Sequence, residues 1–202
     1  MNIEENKEYF KTLCKHHIKR EGINDLLNWL EDTDFYTAPA STKYHLAVKG
    51  GLCQHSLNVF HMMVSEVKST LFPNEDIPPL LMEEVAILAL FHDFVKINFY
   101  EETSRNIKTE FGEWIKVPYF SINNKGELFG HGVVSARIVS KFITLTDEEF
   151  MAITYHMGFS GEEARTNPSI ISGVFNQNIM ALLLNIADMK ATFWEEREVR
   201  NV

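Results

Sequence analysis

An apolar run, Val85 to Phe91, ends in a His-Asp doublet, His92-Asp93, and that junction narrows the folds open to this 202-residue chain more than any other stretch. Propensity and burial alone would select further aliphatic residues there. A carboxylate drawn into a core without a partner costs several kcal/mol or is driven to protonation, so Asp93 requires a cation. The same holds for Asp188 within Leu184-Asn185-Ile186-Ala187-Asp188-Met189. His55 upstream and His131 and His156 downstream add imidazole nitrogens from other predicted helices, and mixed imidazole and carboxylate donors suit divalent transition metals. One buried His has an ordinary structural use once both its nitrogens are hydrogen-bonded. The recurrence of metal donors in several apolar helices points instead to one shared site, of the kind a metal-dependent hydrolase needs.

The length suits one domain, 1–202, with a single well-buried core. Hydrophobic residues make up 45% and aromatic residues 12%, the balance of a globular protein. The longest apolar stretch falls far short of the ~20 residues that cross a bilayer. Met1 to Arg20 carries charges and no continuous apolar segment, unlike a secretory signal. No membrane association and a cytoplasmic location are therefore expected. Cys14 and Cys53 have neither CxxC spacing nor the density of a disulfide framework, and they read as small buried hydrophobes. The net charge of −9 repels phosphate polymers on average, which argues against a broad nucleic-acid surface. It leaves room for a small pocket in which metal ions outweigh nearby carboxylates.

Ile3 to Lys19 and Ile23 to Glu31 alternate apolar and charged residues at helical spacing across a Glu21-Gly22 turn. Thr37 to Thr42 reads as a loop, and Lys49-Gly50-Gly51 introduces a helix that carries His55 one turn in. After Pro73, Pro78 and Pro79, Leu80 to Tyr100 reads as one long buried helix bearing the doublet. Lys96, four residues after His92 and three after Asp93, falls on the same side, where its ammonium can meet a phosphate. Trp114, Val117, Tyr119 and Phe120 favour strand, and with the turn signal Asn123-Asn124-Lys125-Gly126 they predict a short β-hairpin near 113–129. Gly130-His131-Gly132 opens a helix over Val133 to Phe142, and Thr146 to Glu149 resembles a capping sequence for a helix ending near His156. Gly161 to Pro168 reads as loop, and the last helix runs from about Asn178 to Glu196. The expected fold is an all-α bundle with that one hairpin. Arg137 and Lys190 fall away from the site, and His16, His17, His45 and His61 match no motif position. Phe91, Phe94, Phe99 and Tyr100 read as core, and Trp194 as a residue closing the core.

The order His55, His92-Asp93, Asp188 resembles the HD superfamily of metal-dependent phosphohydrolases. The blocks Gly50 to Leu57, Phe91 to Lys96, Gly130-His131-Gly132 and Tyr155-His156 are similar to the branch that includes bacterial HD-type 3′ to 5′ exoribonucleases and related phage proteins, over about Phe35 to Trp194. The resemblance implies an HD-domain helical bundle with its HD core at about 35–195 behind N-terminal helices at 1–34. It also implies a first divalent ion on His55, His92, Asp93 and Asp188, and a second on His131 and His156 with Asp93 bridging. A mononuclear site, with His131 and His156 turned to the substrate phosphate, stays open on the residues themselves. The donors leave the metal open among Mn, Fe, Co, Ni, Zn and Mg.

The implied chemistry is hydrolysis of a phosphate ester by a metal-activated water, with Asp93 at the metals and Lys96 at the phosphate. The expected substrate is a small phosphorylated molecule: a nucleotide, a dinucleotide or a short oligonucleotide. Unlike the exoribonucleases, this chain has no separate N-terminal OB-like region, since its first forty residues read as helices and a loop. That departure and the acidic charge favour a small nucleotide over processive binding of nucleic acid. Two other functions stand beside this one, a nucleoside-monophosphate phosphatase and a non-catalytic, metal-containing module that binds a nucleotide as a regulator. The full ligand set together with Lys96 favours catalysis. The sequence specifies no oligomeric state. Thr37 to Lys49 and Arg105 to Gly130 are candidate substrate-gating loops.

Overall fold

The computed structural model describes residues 2–123 and 130–197. Helix α1 (Ile3–His17) starts on Asn2, whose side-chain oxygen accepts from the Glu4 and Glu5 N–H groups. Acidic residues occupy its first turn and Lys15, His16 and His17 its last, the polarity that suits the helix dipole. Helix α2 (Ile23–Glu31) follows the Gly22 turn, and α3 (Gly51–Leu71) and α4 (Pro79–Phe91) form the centre. Pro79 opens α4, where its missing N–H costs nothing. Every residue from Val85 to Phe91 is buried, because α1, α3, α5, α6 and α9 pack around this helix.

Helix α4 stops at Phe91. The single helix expected from Leu80 to Tyr100 is thereby corrected to a helix, a 3-10 turn at Phe94–Lys96 and the start of a strand. In a continued helix the Val95 N–H would donate to the Phe91 carbonyl; it donates to Ser135 Oγ instead, at 3.0 Å. Asn98 then takes a positive φ of 56°, and its N–H donates to Asp34 Oδ1 at 2.6 Å. The doublet therefore stands at the end of the buried run Val85 to Phe91, where the chain turns and both side chains can face one point.

Strands β1 (Tyr100–Lys108) and β2 (Trp114–Ile122) pair antiparallel, from Tyr100 opposite Ile122 to Lys108 opposite Trp114. The hairpin exists but is displaced from its expected place near 113–129, because the partner of β2 precedes it. Its turn lies at Thr109–Glu113, closed by the Thr109 N–H donating to the Glu113 carbonyl at 2.8 Å. Strand β1 presents Glu101, Glu102, Arg105 and Lys108 to solvent, so it has no apolar alternation to betray it. Of the expected Asn123 to Gly126 turn, residues 124–126 lie outside the described residues.

The second half contains α5 (His131–Val139), α6 (Asp147–Thr154), α7 (Glu162–Thr166), α8 (Pro168–Gln177) and α9 (Ile179–Lys190), which continues as a π-helical turn at Ala191–Glu195. The capping box of α6 forms as expected: Thr146 Oγ1 accepts from the Glu149 N–H at 3.1 Å, and the Glu149 carboxylate accepts from the Thr146 N–H at 2.8 Å. The loop expected over Gly161 to Pro168 holds the short helix α7, and Asn167 caps α8.

One cluster of buried apolar side chains runs from Phe10 and Leu26 through Leu52, Ile87, Phe94 and Ile153 to Leu184 and Ala191. The N-terminal helices share this core, and Cys14 and Cys53 are buried in it as free thiols. Phe99 and Tyr100 are half-buried, and Trp194 is 70% exposed, so it does not close the core as expected. No single helix among the described residues is long and apolar enough to cross a membrane.

Candidate metal centre

Two close backbone approaches bring the donors together. His55 lies one turn into α3 and is buried. A Cβ on Gly51 would collide with the Leu46 carbonyl and the Ala40 N–H, so the residues around 40–46 pack directly on the start of α3. His131 opens α5 and His156 follows α6. Gly132 has no room for a Cβ against the Ile153 and Thr154 carbonyls, so α5 meets the end of α6 backbone to backbone, and the His131 and His156 rings come within 5.3 Å. Asp188 arrives on α9, which packs along α3.

Asp93 occupies the middle. Its Oδ2 lies 3.6 Å from Nε2 of both His55 and His92 and 2.6 Å from Lys96 Nζ. Its Oδ1 lies 2.7 Å from His131 Nε2 and 3.7 Å from His156 Nε2. Asp188 Oδ1 stands 3.2 Å from His55 Nε2. Donor atoms of His55, His92 and Asp188 fall within 4.8 Å of one another, as do those of His92, Asp93 and His156, and either trio could hold a metal ion.

The far nitrogens set which lone pairs face inward. His92 Nδ1 donates to the Ala89 carbonyl at 2.9 Å and His156 Nδ1 donates to the Ile153 carbonyl at 2.7 Å. A carbonyl only accepts, so in the neutral form of these rings the proton sits on Nδ1 and Nε2 presents its lone pair to the centre; burial opposes a second proton on His156, but Asp93 raises its pKa above the ordinary value. His156 Nε2 is buried with no hydrogen-bond partner among the described residues. An orphaned buried polar atom costs about 1–3 kcal/mol, and a cation at the convergence point would satisfy it. The donor set fits a divalent ion on chemistry as well as on geometry.

The charges fit the same picture. Burial alone would pull His55 down, but its hydrogen bonds to Asp188 and Glu196 carry it up to about 9. Burial brings His92 down to about 4 against the opposing charge of Asp93. Burial also opposes ionisation of Asp93, yet the charges of Lys96 and His92 hold its carboxyl well below the usual range. Asp188 is held low against its burial by the hydrogen bond to His55.

Three residues outside the expected set join the site. Glu196, at the end of the π-helical turn, accepts from His45 Nδ1 at 2.6 Å, from His55 Nδ1 at 2.9 Å and from Asn58 Nδ2 at 2.9 Å. Its side chain is 1% exposed, although in sequence it belongs to a charged helix end that resembles any solvated one. His45, outside every motif, is tied to the centre through it. Asn185 donates from Nδ2 to the His156 carbonyl at 2.7 Å. Lys190 turns away to Glu66 at 2.6 Å and Arg137 is exposed, both as expected. A cavity of about 220 Å³ opens over the donors, walled by His45, Asp93, Lys96, His131, Asp188 and Phe193 among others.

A helical body with a fully buried helical run that ends in His-Asp, ringed by further His and Asp from neighbouring helices, defines a class of proteins built to hold divalent metal. The chain belongs to the HD domain family, whose model matches residues 52–189. HD domains are generally metal-dependent hydrolases. The matched range runs from just before His55 to just after Asp188 and leaves out His45 and Glu196. No curated protein and no solved structure matches the chain at a significant level.

Proposed function

We propose that this protein is a divalent-metal-dependent phosphodiesterase acting on a nucleotide, a dinucleotide or a short oligonucleotide. One observation carries the proposal: the two oxygens of Asp93 face different donors, Oδ2 toward His55 and His92, Oδ1 toward His131 and His156. That division suits two ions with Asp93 between them. His55, His92, Asp93 and Asp188 would hold the first, and His131 and His156 with Asp93 the second. A divalent cation bound there supplies Lewis acidity toward phosphoryl oxygens and acidifies water.

The protein's own groups do the positioning. Carbonyls of Ala89 and Ile153 orient the rings of His92 and His156, so the donors are set before substrate arrives. Lys96 stands at the cavity wall, and although burial works against its charge, Asp93 keeps it protonated, ready for a phosphoryl oxygen. In the hydrolysis a water oxygen joins phosphorus, one P–O ester bond breaks and the leaving oxygen takes a proton. The sequence resemblance to HD-type exoribonucleases supports a phosphodiester.

Product release from mononucleotides, cyclic dinucleotides, dinucleoside polyphosphates and short RNA or DNA, with Mn²⁺, Ni²⁺ or Co²⁺ added, tests the proposal. Cleavage of a phosphodiester that disappears in Asp93→Ala is expected. Release from monophosphates alone would replace the diesterase with a phosphatase, and no turnover by metal-loaded protein would leave a nucleotide-binding regulator.

A further inference from the structure

The cavity over the donors, about 220 Å³, is smaller than the roughly 300–1,000 Å³ of sites that enclose a whole small molecule. A ligand as large as a nucleotide would therefore extend beyond it. Three of its walls, His45, Thr192 and Phe193, also bound a neighbouring groove of about 460 Å³ lined by Lys43, Tyr44, Glu196 and Arg197. Two large aromatic rings therefore stand open to solvent at this one place, Tyr44 81% and Phe193 71% exposed. Glu196 is ionised, but its oxygens are turned to His45, His55 and Asn58, which leaves Lys43 and Arg197 as the charges that face the open groove. Lys43 Nζ lies 6.0 Å from the Tyr44 ring centre, and the Arg197 guanidinium 5.4 Å from that of Trp194. In a chain of net charge −9, two cations set among open aromatic rings beside a metal centre are a local reversal of the average field. Exposed rings next to cations are what single-stranded nucleic acid uses, a base stacking on the ring and the neighbouring phosphate meeting the charge.

We infer that Lys43, Tyr44, Phe193 and Arg197 form a subsite for the nucleoside and phosphate adjoining the scissile phosphate, so that the substrate class is a phosphodiester-linked dinucleotide or longer strand. This inference rests on the phosphodiesterase proposal for the position of the scissile phosphate. A phosphinate-linked dinucleotide, with carbon in place of both bridging oxygens and so no P–O ester bond to hydrolyse, and the matching mononucleotide are titrated calorimetrically into metal-loaded protein. The dinucleotide is expected to bind at least about tenfold tighter, within the range base–aromatic stacking supplies. Lys43→Ala/Arg197→Ala and, separately, Tyr44→Ala should erase most of that difference; all three side chains are exposed, so the fold does not depend on them. Equal binding of the two ligands, or a preference that survives both variants, would overturn the subsite. Because binding is read without turnover, a protein that prefers the dinucleotide yet hydrolyses nothing would keep the groove and refute the enzyme.

Discussion

The Glu196 carboxylate accepts the Nδ1–H of His55 at 2.9 Å, from a position beyond the residues matched by the family. A carboxylate on the far nitrogen of a metal-ligating imidazole holds the ring in place and raises its basicity, and loss of such a partner typically costs about 10–100-fold in metal affinity. Glu196→Ala is expected to weaken divalent-metal binding by about that factor. Glu196→Gln, which keeps one acceptor oxygen, should fall between the two. Calorimetric titration of metal-free protein with Mn²⁺ measures it, and an unchanged affinity in the alanine variant would reduce Glu196 to a packing role.

The same contact gives metal binding a pH dependence. In metal-free protein His55 sits between Glu196 and Asp188 and titrates at about 9, so at pH 7 it is protonated on both nitrogens. Its Nε2 can bind a metal only after giving up that proton. Metal affinity should therefore rise with pH from 7 and level off above about 9. Titrations at pH 7 in two buffers of different ionisation enthalpy should differ in apparent heat by at least about one released proton, since His156, also raised by Asp93, adds to the proton of His55; identical heats would exclude the charged His55. The sign for stability is opposite. A folded pKa raised from 6.5 to about 9 stabilises the metal-free fold fully below 6.5, and that contribution is lost as pH rises through about 9.

How far the sequence alone reveals this site follows from the range of each interaction. His55, His92, Asp93, His131, His156 and Asp188 are visible because donors of this kind do not enter apolar helices without a reason. The end of α4 is not visible, since it depends on Ser135 taking the Val95 N–H from forty residues away. Strand β1 is hidden by its polar composition, as its pairing with β2 leaves most of its side chains in solvent. Glu196 is the hardest to see: its partners His45, His55 and Asn58 lie 151, 141 and 138 residues away along the chain, and nothing local marks it.

Glu149 is the structural counterpart, a buried carboxylate with no tie to the metal centre. It accepts from Arg20 Nη1 at 2.6 Å and Nη2 at 2.5 Å while closing the capping box of α6. Glu149→Ala removes the cap and two charge-assisted hydrogen bonds from Arg20, which keeps the Thr144 carbonyl at 2.8 Å and Glu83 at 3.5 Å, so a loss of about 2–3 kcal/mol is expected in urea unfolding. Glu149→Gln retains the cap and should lose less. A loss under about 1 kcal/mol in the alanine variant would mean that Arg20 swings out to water, as surface pairs allow.

His131 decides between one ion and two. It is the most open of the ring donors around Asp93, with a side chain 35% exposed, and it touches only Oδ1 of that carboxylate. The trio His55, His92 and Asp188 contains neither His131 nor Oδ1, so His131→Ala leaves that trio whole. If two ions bind, elemental analysis after dialysis should show His131→Ala losing one metal equivalent and keeping the other. His55→Ala should lose the equivalent that His131→Ala keeps. If a single ion binds, His131→Ala will retain the wild-type metal content and instead raise KM for the phosphodiester, because the imidazole would then be meeting substrate phosphate. Retention of both metal content and KM would remove His131 from the centre altogether.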